Sequence, residues 1–141
     1  MGRYTDTDIG AALRAVQTIE IGSTDASADV DGDAVDRLGY LSAKILAKTG
    51  AATGTPDAQS LVFQLQESDA SGSGYVAVDG ATITIAADDT LSVLDVDLSA
   101  RKRYLRVILD ASESSFTGGS SPANDISCDI VLGGADVLPA A

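Results

Sequence analysis

Residues 91–109, Leu-Ser-Val-Leu-Asp-Val-Asp-Leu-Ser-Ala-Arg-Lys-Arg-Tyr-Leu-Arg-Val-Ile-Leu, contain two runs of alternating apolar residues joined by a basic turn. Such alternation is typical of β-strands that bury one face. With the turn at residues 99–102, Asp95 faces Arg106 across the pair, so one register satisfies the apolar and the charged positions together. The stretch therefore predicts a two-stranded hairpin.

The apolar positions of the first of these strands change parity along the chain. Leu91 and Val93 occupy odd positions, whereas Leu94, Val96 and Leu98 occupy even ones. Because successive side chains of a strand point to opposite faces, a parity change predicts a bulge or bend near Val93.

Six further segments have strand-like patterns and are separated by turns rich in Gly, Ser and Asp. They are residues 13–21, 40–48, 60–67, 75–78, 82–86 and 126–132. No segment of ordinary helix length interrupts them. The pattern predicts an all-β, single-domain β-sandwich or jelly roll of about eight short antiparallel strands.

Three local features refine this prediction. Asp79-Gly80 favours a tight type I′ turn, so residues 75–78 and 82–86 are expected to form a hairpin. Asp33 is a suitable cap for a single helical turn over residues 33–38. Gly133-Gly134 is expected to end the last strand.

The chain has 141 residues, which suits one domain with a core of its own. Residues 1–12 are mostly polar or small and are expected to form an extended N-terminal arm. Residues 13–141 are assigned to the sandwich domain, which includes a short C-terminal tail.

Charge and hydropathy exclude two classes of partner. Nine basic residues against 21 acidic ones give a net charge of −12, which repels phosphate backbones, so we expect no nucleic-acid partner. No run approaches the roughly 20 apolar residues that a membrane-spanning helix needs. The N-terminal stretch has no apolar signal region, so we expect a soluble protein that is not exported.

The reactive side chains exclude most catalytic sites. The chain has no histidine and one cysteine, Cys128, which shares an apolar row and is expected to be buried. Residues 29–33, Asp-Val-Asp-Gly-Asp, suggest calcium, but an EF-hand needs Gly and Glu where this chain has Ala34 and Tyr40. We therefore expect no catalytic residue, cofactor or metal site, and no enzyme activity.

Three segments resemble a known family when taken in order. They are Phe-Gln-Leu-Gln-Glu-Ser-Asp at 63–69, Asp-Leu-Ser-Ala-Arg-Lys-Arg-Tyr-Leu-Arg-Val at 97–107 and Val-Leu-Gly-Gly-Ala-Asp-Val-Leu-Pro at 131–139. Over residues 40–139 the chain resembles small structural proteins of tailed bacteriophages, namely capsid decoration or cement proteins. The resemblance implies a compact β-domain, commonly a trimer, bound to the major capsid protein on the capsid exterior after synthesis in the host cytoplasm.

The resemblance implies an adhesive role without chemistry. For the capsid or subunit interface we predict Arg3 and Tyr4 in the arm and Arg101, Lys102 and Arg103 in the basic turn. Two alternatives stay open: a tail or head-tail connector protein, and a carbohydrate-binding β-sandwich, although the chain has no Trp for stacking on sugars.

Overall fold

A computed structural model describes residues 9–135 and contains two antiparallel β-sheets and one short 3-10 helix, Ile9–Ala12. The strands are β1 (Arg14–Thr24), β2 (Val30–Asp31), β3 (Val35–Asp36), β4 (Tyr40–Thr49), β5 (Ala58–Ser68), β6 (Val76–Ile85), β7 (Leu91–Asp97), β8 (Tyr104–Leu109), β9 (Ser115–Thr117) and β10 (Asn124–Ala135). The prediction of an all-β sandwich is confirmed.

The two sheets have the strand order of a jelly roll. One sheet, which we call sheet A, has the order β1-β10-β4-β7, and the other, sheet B, has the order β2-β8-β5-β6. The short strands β3 and β9 pair with β8 and β5. When β2 and β3 are counted as one interrupted strand and β9 as an addition to β5, eight strand positions remain. The number equals the predicted one, but β6 replaces two predicted strands and the position of β2 and β3 was not predicted as a strand.

The chain is wound like one long hairpin that has been folded over. Its tip is the isolated bridge between Ala70 and Ser73, and outward from it β5 pairs with β6, β4 with β7, β2 and β3 with β8, and β1 with β10. Each strand thus pairs with a strand about equally distant from the tip. This winding gives the two Greek keys of a jelly roll.

Period-two alternation predicted the core correctly. In β5, Leu61, Phe63 and Leu65 are buried, and in β10 the buried row includes Cys128 and Ile130. The prediction that Cys128 is a core residue is confirmed. Burial raises the pKa of its thiol to about 12.

The predicted hairpin over residues 91–109 is wrong. β7 pairs with β4 in sheet A, whereas β8 pairs with β5, β2 and β3 in sheet B, so the basic turn crosses between sheets. Asp95 lies opposite Lys44, and their side chains form an ion pair of 2.6 Å. Leu98 explains the crossing, because it is fully buried and directs the chain into the core after β7.

The predicted bulge near Val93 is also wrong. β7 pairs with β4 in an uninterrupted register from Leu91 to Asp97. Leu91 and Val93 are about half exposed on the outer face of sheet A, whereas the predicted bulge would turn them toward the core. The parity change reflects apolar residues on both faces of a regular strand.

Residues 75–86 do not form the predicted hairpin. β6 is one strand along β5, with a register shift in which residues 78–81 bulge out. Gly80 has a φ of 75°, and the Gln64 side-chain amide donates hydrogen bonds to the carbonyls of Val78 (2.9 Å) and Ala81 (3.2 Å). Gly80 therefore lies in a β-bulge that the side chain of Gln64 stabilises. The local sequence Asp-Gly does not reveal this distant contact.

The predicted helical turn at residues 33–38 is replaced by β3, which pairs with β8. Beside it, Gly32 lies where the two sheets approach: its N–H donates to Val107 O (2.9 Å), and Asp33 N–H donates to Thr18 O (2.6 Å). Thr18 Oγ1 in turn donates to Asp33 O (2.9 Å) and accepts from Val107 N–H (3.2 Å). These bonds join β1 of sheet A to β8 of sheet B.

The two ends of the described chain are a 3-10 helix and the end of β10. Of the predicted arm, residues 9–12 form the 3-10 helix, and residues 1–8 lie outside the described residues. β10 runs through Gly133-Gly134 to Ala135, so the prediction that these glycines end the strand is wrong. Residues 136–141 also lie outside the described part.

Candidate functional site

The two ends of the sandwich differ in charge. At one end, which we call the basic end, the connections 37–39, 69–75 and 98–103 contain four cations and one carboxylate. At the other, the acidic end, the connections 25–29, 50–57, 86–90 and 110–123 contain seven carboxylates and no Lys or Arg. The strands thus separate charges that are mixed along the sequence, and the basic end is the candidate site.

The basic turn is held from both sides by residues far away in sequence. Glu67, at the end of β5, accepts a hydrogen bond from Lys102 N–H (3.0 Å) and lies 3.5 Å from the guanidinium of Arg101. Arg37 Nε donates to Lys102 O (3.1 Å), and its Nη2 donates to Arg101 O. The backbone of the turn is therefore fixed by charged partners at its amide and carbonyl groups.

Arg103 forms a two-bond pair with Asp36 of β3. Its Nε and Nη2 lie 3.1 Å and 2.8 Å from the two carboxylate oxygens. This hydrogen bonding holds the pKa of Asp36 below its ordinary value and raises that of Arg103. Lys102 makes a looser contact of 3.5 Å with Asp69, whose side chain is largely exposed, while that of Lys102 is partly buried.

Two arginine guanidinium groups stack on tyrosine rings at this end. The guanidinium of Arg106 lies 4.3 Å from the centroid of the Tyr75 ring, and that of Arg103 lies 5.1 Å from the Tyr104 ring. Arg106 is further held by Gln66 Oε1 at 2.8 Å. Such stacked and hydrogen-bonded arginines present a planar, ordered surface.

Exposed aliphatic side chains also concentrate here. The described residues contain seven large aliphatic side chains that are exposed, and four of them lie at the basic end: Leu13, Leu38, Leu41 and Val76. Leu38 is 65% exposed in the turn between β3 and β4. Tyr and Arg are enriched in binding surfaces, and the exposed aliphatic side chains beside them add apolar area that a partner can bury.

The basic end contains Arg101, Lys102 and Arg103, which follow one another in the connection 98–103. Their role at an interface stays a prediction, because the contacts found are within the chain. Arg3 and Tyr4 lie outside the described residues. The sequence analysis did not identify Arg37 and Leu38 as site residues. The position of Leu38 between Arg37 and Gly39 in a turn is the signal that could have indicated an exposed apolar side chain.

The acidic end contains an open cleft of about 750 Å³. Its wall includes Asp25, Asp29 and Phe116. Asp25 accepts hydrogen bonds from the N–H (3.0 Å) and hydroxyl (2.5 Å) of Ser27, which lower the pKa of its carboxyl. Asp29 accepts one from Ala111 N–H (2.8 Å), so both carboxylates also fix the loops.

Residues 9–135 contain no group of three or more His, Cys, Asp or Glu side chains placed to hold a metal ion. Within the same range, no helix has the length and apolar character required to cross a membrane.

Comparisons with known proteins give a likeness of fold. No protein-family model matches the sequence, and no curated protein matches it. Among solved structures, the crystal structure of SPBc2 prophage-derived protein YomS is similar, with a TM-score of 0.51 and 12% sequence identity. The similarity covers 85% of this chain and 91% of that chain, so this chain shares its fold with a prophage-derived protein over nearly the whole sandwich.

Proposed function

We propose that this chain is a non-enzymatic virion structural protein that binds the outer surface of a phage capsid and stabilises it. The fold likeness to a prophage-derived protein, over most of both chains, carries the proposal. The three segments that resemble decoration proteins support the more specific proposal of capsid decoration. The major capsid protein is the expected partner, and a homo-oligomer, with a trimer favoured, is the expected assembly.

Physical features of the chain support an adhesive role. The jelly roll has a continuous aliphatic core from both sheets, which suits a domain that is stable before it assembles. The sequence contains no histidine, which removes the commonest general base. The net charge of −12 keeps free copies apart in solution.

Co-sedimentation with capsids tests the proposal. Undecorated capsids of the phage that encodes the chain are mixed with purified protein, and occupancy is measured in the pellet. We expect saturable binding, and we expect the decorated capsids to break open at a higher temperature than bare ones. Capsids that already carry the protein serve as the control. Absence of binding to bare capsids contradicts the proposal, and imaging that places the protein on the tail favours the connector or tail role.

The cleft at the acidic end supports a second candidate, a carbohydrate-binding module. Its wall combines the aromatic ring of Phe116 with carboxylates and hydroxyls, which are the groups that bind sugar rings and their hydroxyls. Jelly rolls occur in lectins as well as in viral capsids. Glycan-array binding that Phe116→Ala abolishes, with capsid binding absent, favours this candidate.

A further inference from the structure

We propose that the basic end is the surface by which the chain binds the outer wall of the capsid, with the acidic end turned to solvent. This inference rests on the proposed function and adds to it the orientation of the bound molecule. The partner is a protein surface that offers apolar side chains together with carboxylates.

Charge separation favours this orientation. The strand connections at the acidic end carry seven carboxylates and no cation, whereas those at the basic end carry four cations and one carboxylate. Three of these cations, Arg101, Lys102 and Arg103, are paired with carboxylates at the same end, so the two ends differ mainly in the unpaired negative charge of the acidic end. β10 spans the distance between the ends, and its 12 residues measure roughly 40 Å. When the acidic end of each bound copy points outward, its seven carboxylates lie far from the capsid surface. Charge asymmetry of this kind also orients a protein during its approach.

The composition of the basic end matches that of binding surfaces. Tyrosine and arginine are enriched among residues that dominate binding energy, and Tyr75, Tyr104, Arg103 and Arg106 all lie at or beside this end. Leu38 supplies an exposed apolar side chain among them. The connections of the acidic end contain none of the seven exposed large aliphatic side chains, and Leu91, the first residue of β7, lies directly beside them.

The arginines at this end are ordered before any partner binds. Arg103 is fixed by two bonds to Asp36, and Arg106 by Gln66 and the Tyr75 ring. Side chains that are already ordered lose less conformational entropy on binding, so the same contacts give tighter association. The net charge of −12 repels a phosphate backbone, which favours a protein partner over a nucleic acid.

The described chain both enters and leaves the sandwich at this end. Arg14 pairs with Leu132, and Tyr40 pairs with Ala135. β1 therefore begins and β10 ends at the same end of the sandwich as the basic turn.

A matched pair of double variants tests the orientation. Leu38→Asp with Val76→Thr changes two exposed side chains at the basic end, which are 65% and 50% exposed. Leu91→Asp with Val93→Thr makes the same chemical changes on the outer face of sheet A, at side chains that are 53% and 47% exposed. Binding to undecorated capsids is measured by co-sedimentation, and far-UV circular dichroism shows that each variant is folded.

We expect the basic-end variant to bind at least tenfold more weakly and the sheet A variant to bind within twofold of the wild type. Loss of binding in the sheet A variant alone overturns the orientation but leaves the proposed function in place. Equal binding by all three proteins also overturns it. Failure of the wild type to bind contradicts the proposed function itself. Retention of double-stranded DNA by the wild type, weakened by Arg101→Glu, overturns the choice of a protein partner.

Discussion

Replacing Gly32 by alanine is expected to break the junction between the two sheets. A Cβ at this position would lie 2.3 Å from Val107 O and 2.4 Å from Thr18 Oγ1, whereas ordinary contact begins at 3.4 Å. The segment must therefore move by about 1 Å. A shift of that size lengthens bonds such as Gly32 N–H to Val107 O, now 2.9 Å, beyond the range of a hydrogen bond.

The expected cost follows from the number of bonds at the junction. Four hydrogen bonds join residues 32–33 and Thr18 to one another and to β8. Each contributes about 1 kcal/mol net, and a buried group left without a partner costs about 1 to 3 kcal/mol. We expect a loss of about 3 to 5 kcal/mol in the free energy of unfolding. For a chain of this size that corresponds to a fall in Tm of at least about 6 °C.

Urea denaturation followed by circular dichroism measures the loss, and Gly72→Ala is the matched control. A Cβ at Gly72 has no atom within 4 Å, so this variant should unfold within about 0.5 kcal/mol of the wild type. Thr18→Val, which removes the hydroxyl without changing the shape, should fall between the two. The reasoning is refuted if Gly32→Ala and Gly72→Ala unfold at the same urea concentration.

Three further predictions concern the bulge, a carboxylate and the thiol. Gln64→Leu removes the amide that holds the β6 bulge and should cost about 1 to 3 kcal/mol in urea denaturation; an unchanged midpoint would show that the bulge holds itself. Because the pKa of Asp36 is lowered in the folded state, its pairing with Arg103 stabilises the protein above the unfolded pKa and is lost as pH falls through the folded pKa. Melting curves from pH 6 to pH 2 should therefore converge for the wild type and Asp36→Asn only at the acid end. With a pKa of about 12, Cys128 should not react with a thiol reagent at pH 8 until urea unfolds the chain, and rapid labelling of the native protein would contradict its burial.

The basic end shows how far site prediction from sequence reached. The run Arg101-Lys102-Arg103 was visible as a cationic turn, and the structure places it at an end of the sandwich. Its fixed geometry depends on Glu67 and Arg37, which lie 35 and 65 residues from Lys102. No local pattern links residues that far apart, so the ordering of the turn was outside the reach of sequence reasoning.

The sequence alone determined the all-β class and the buried row of most strands, although Leu91 and Val93, expected toward the core, lie on the outer face of sheet A. Alternation in β5 and β10 decides which face of each strand avoids water, since the hydrophobic effect acts on each residue regardless of its neighbour strand. Only the tertiary structure decided the pairing of strands. β7 and β8 present alternating faces that suit many partners, and the choice of β4 and β5 follows from burying Leu98 between the sheets while the whole chain winds as one hairpin. Burial depends on the polarity of each residue, so alternation along one strand predicts it. Strand pairing depends on contacts between residues far apart in the sequence, so it is decided only when the whole chain folds.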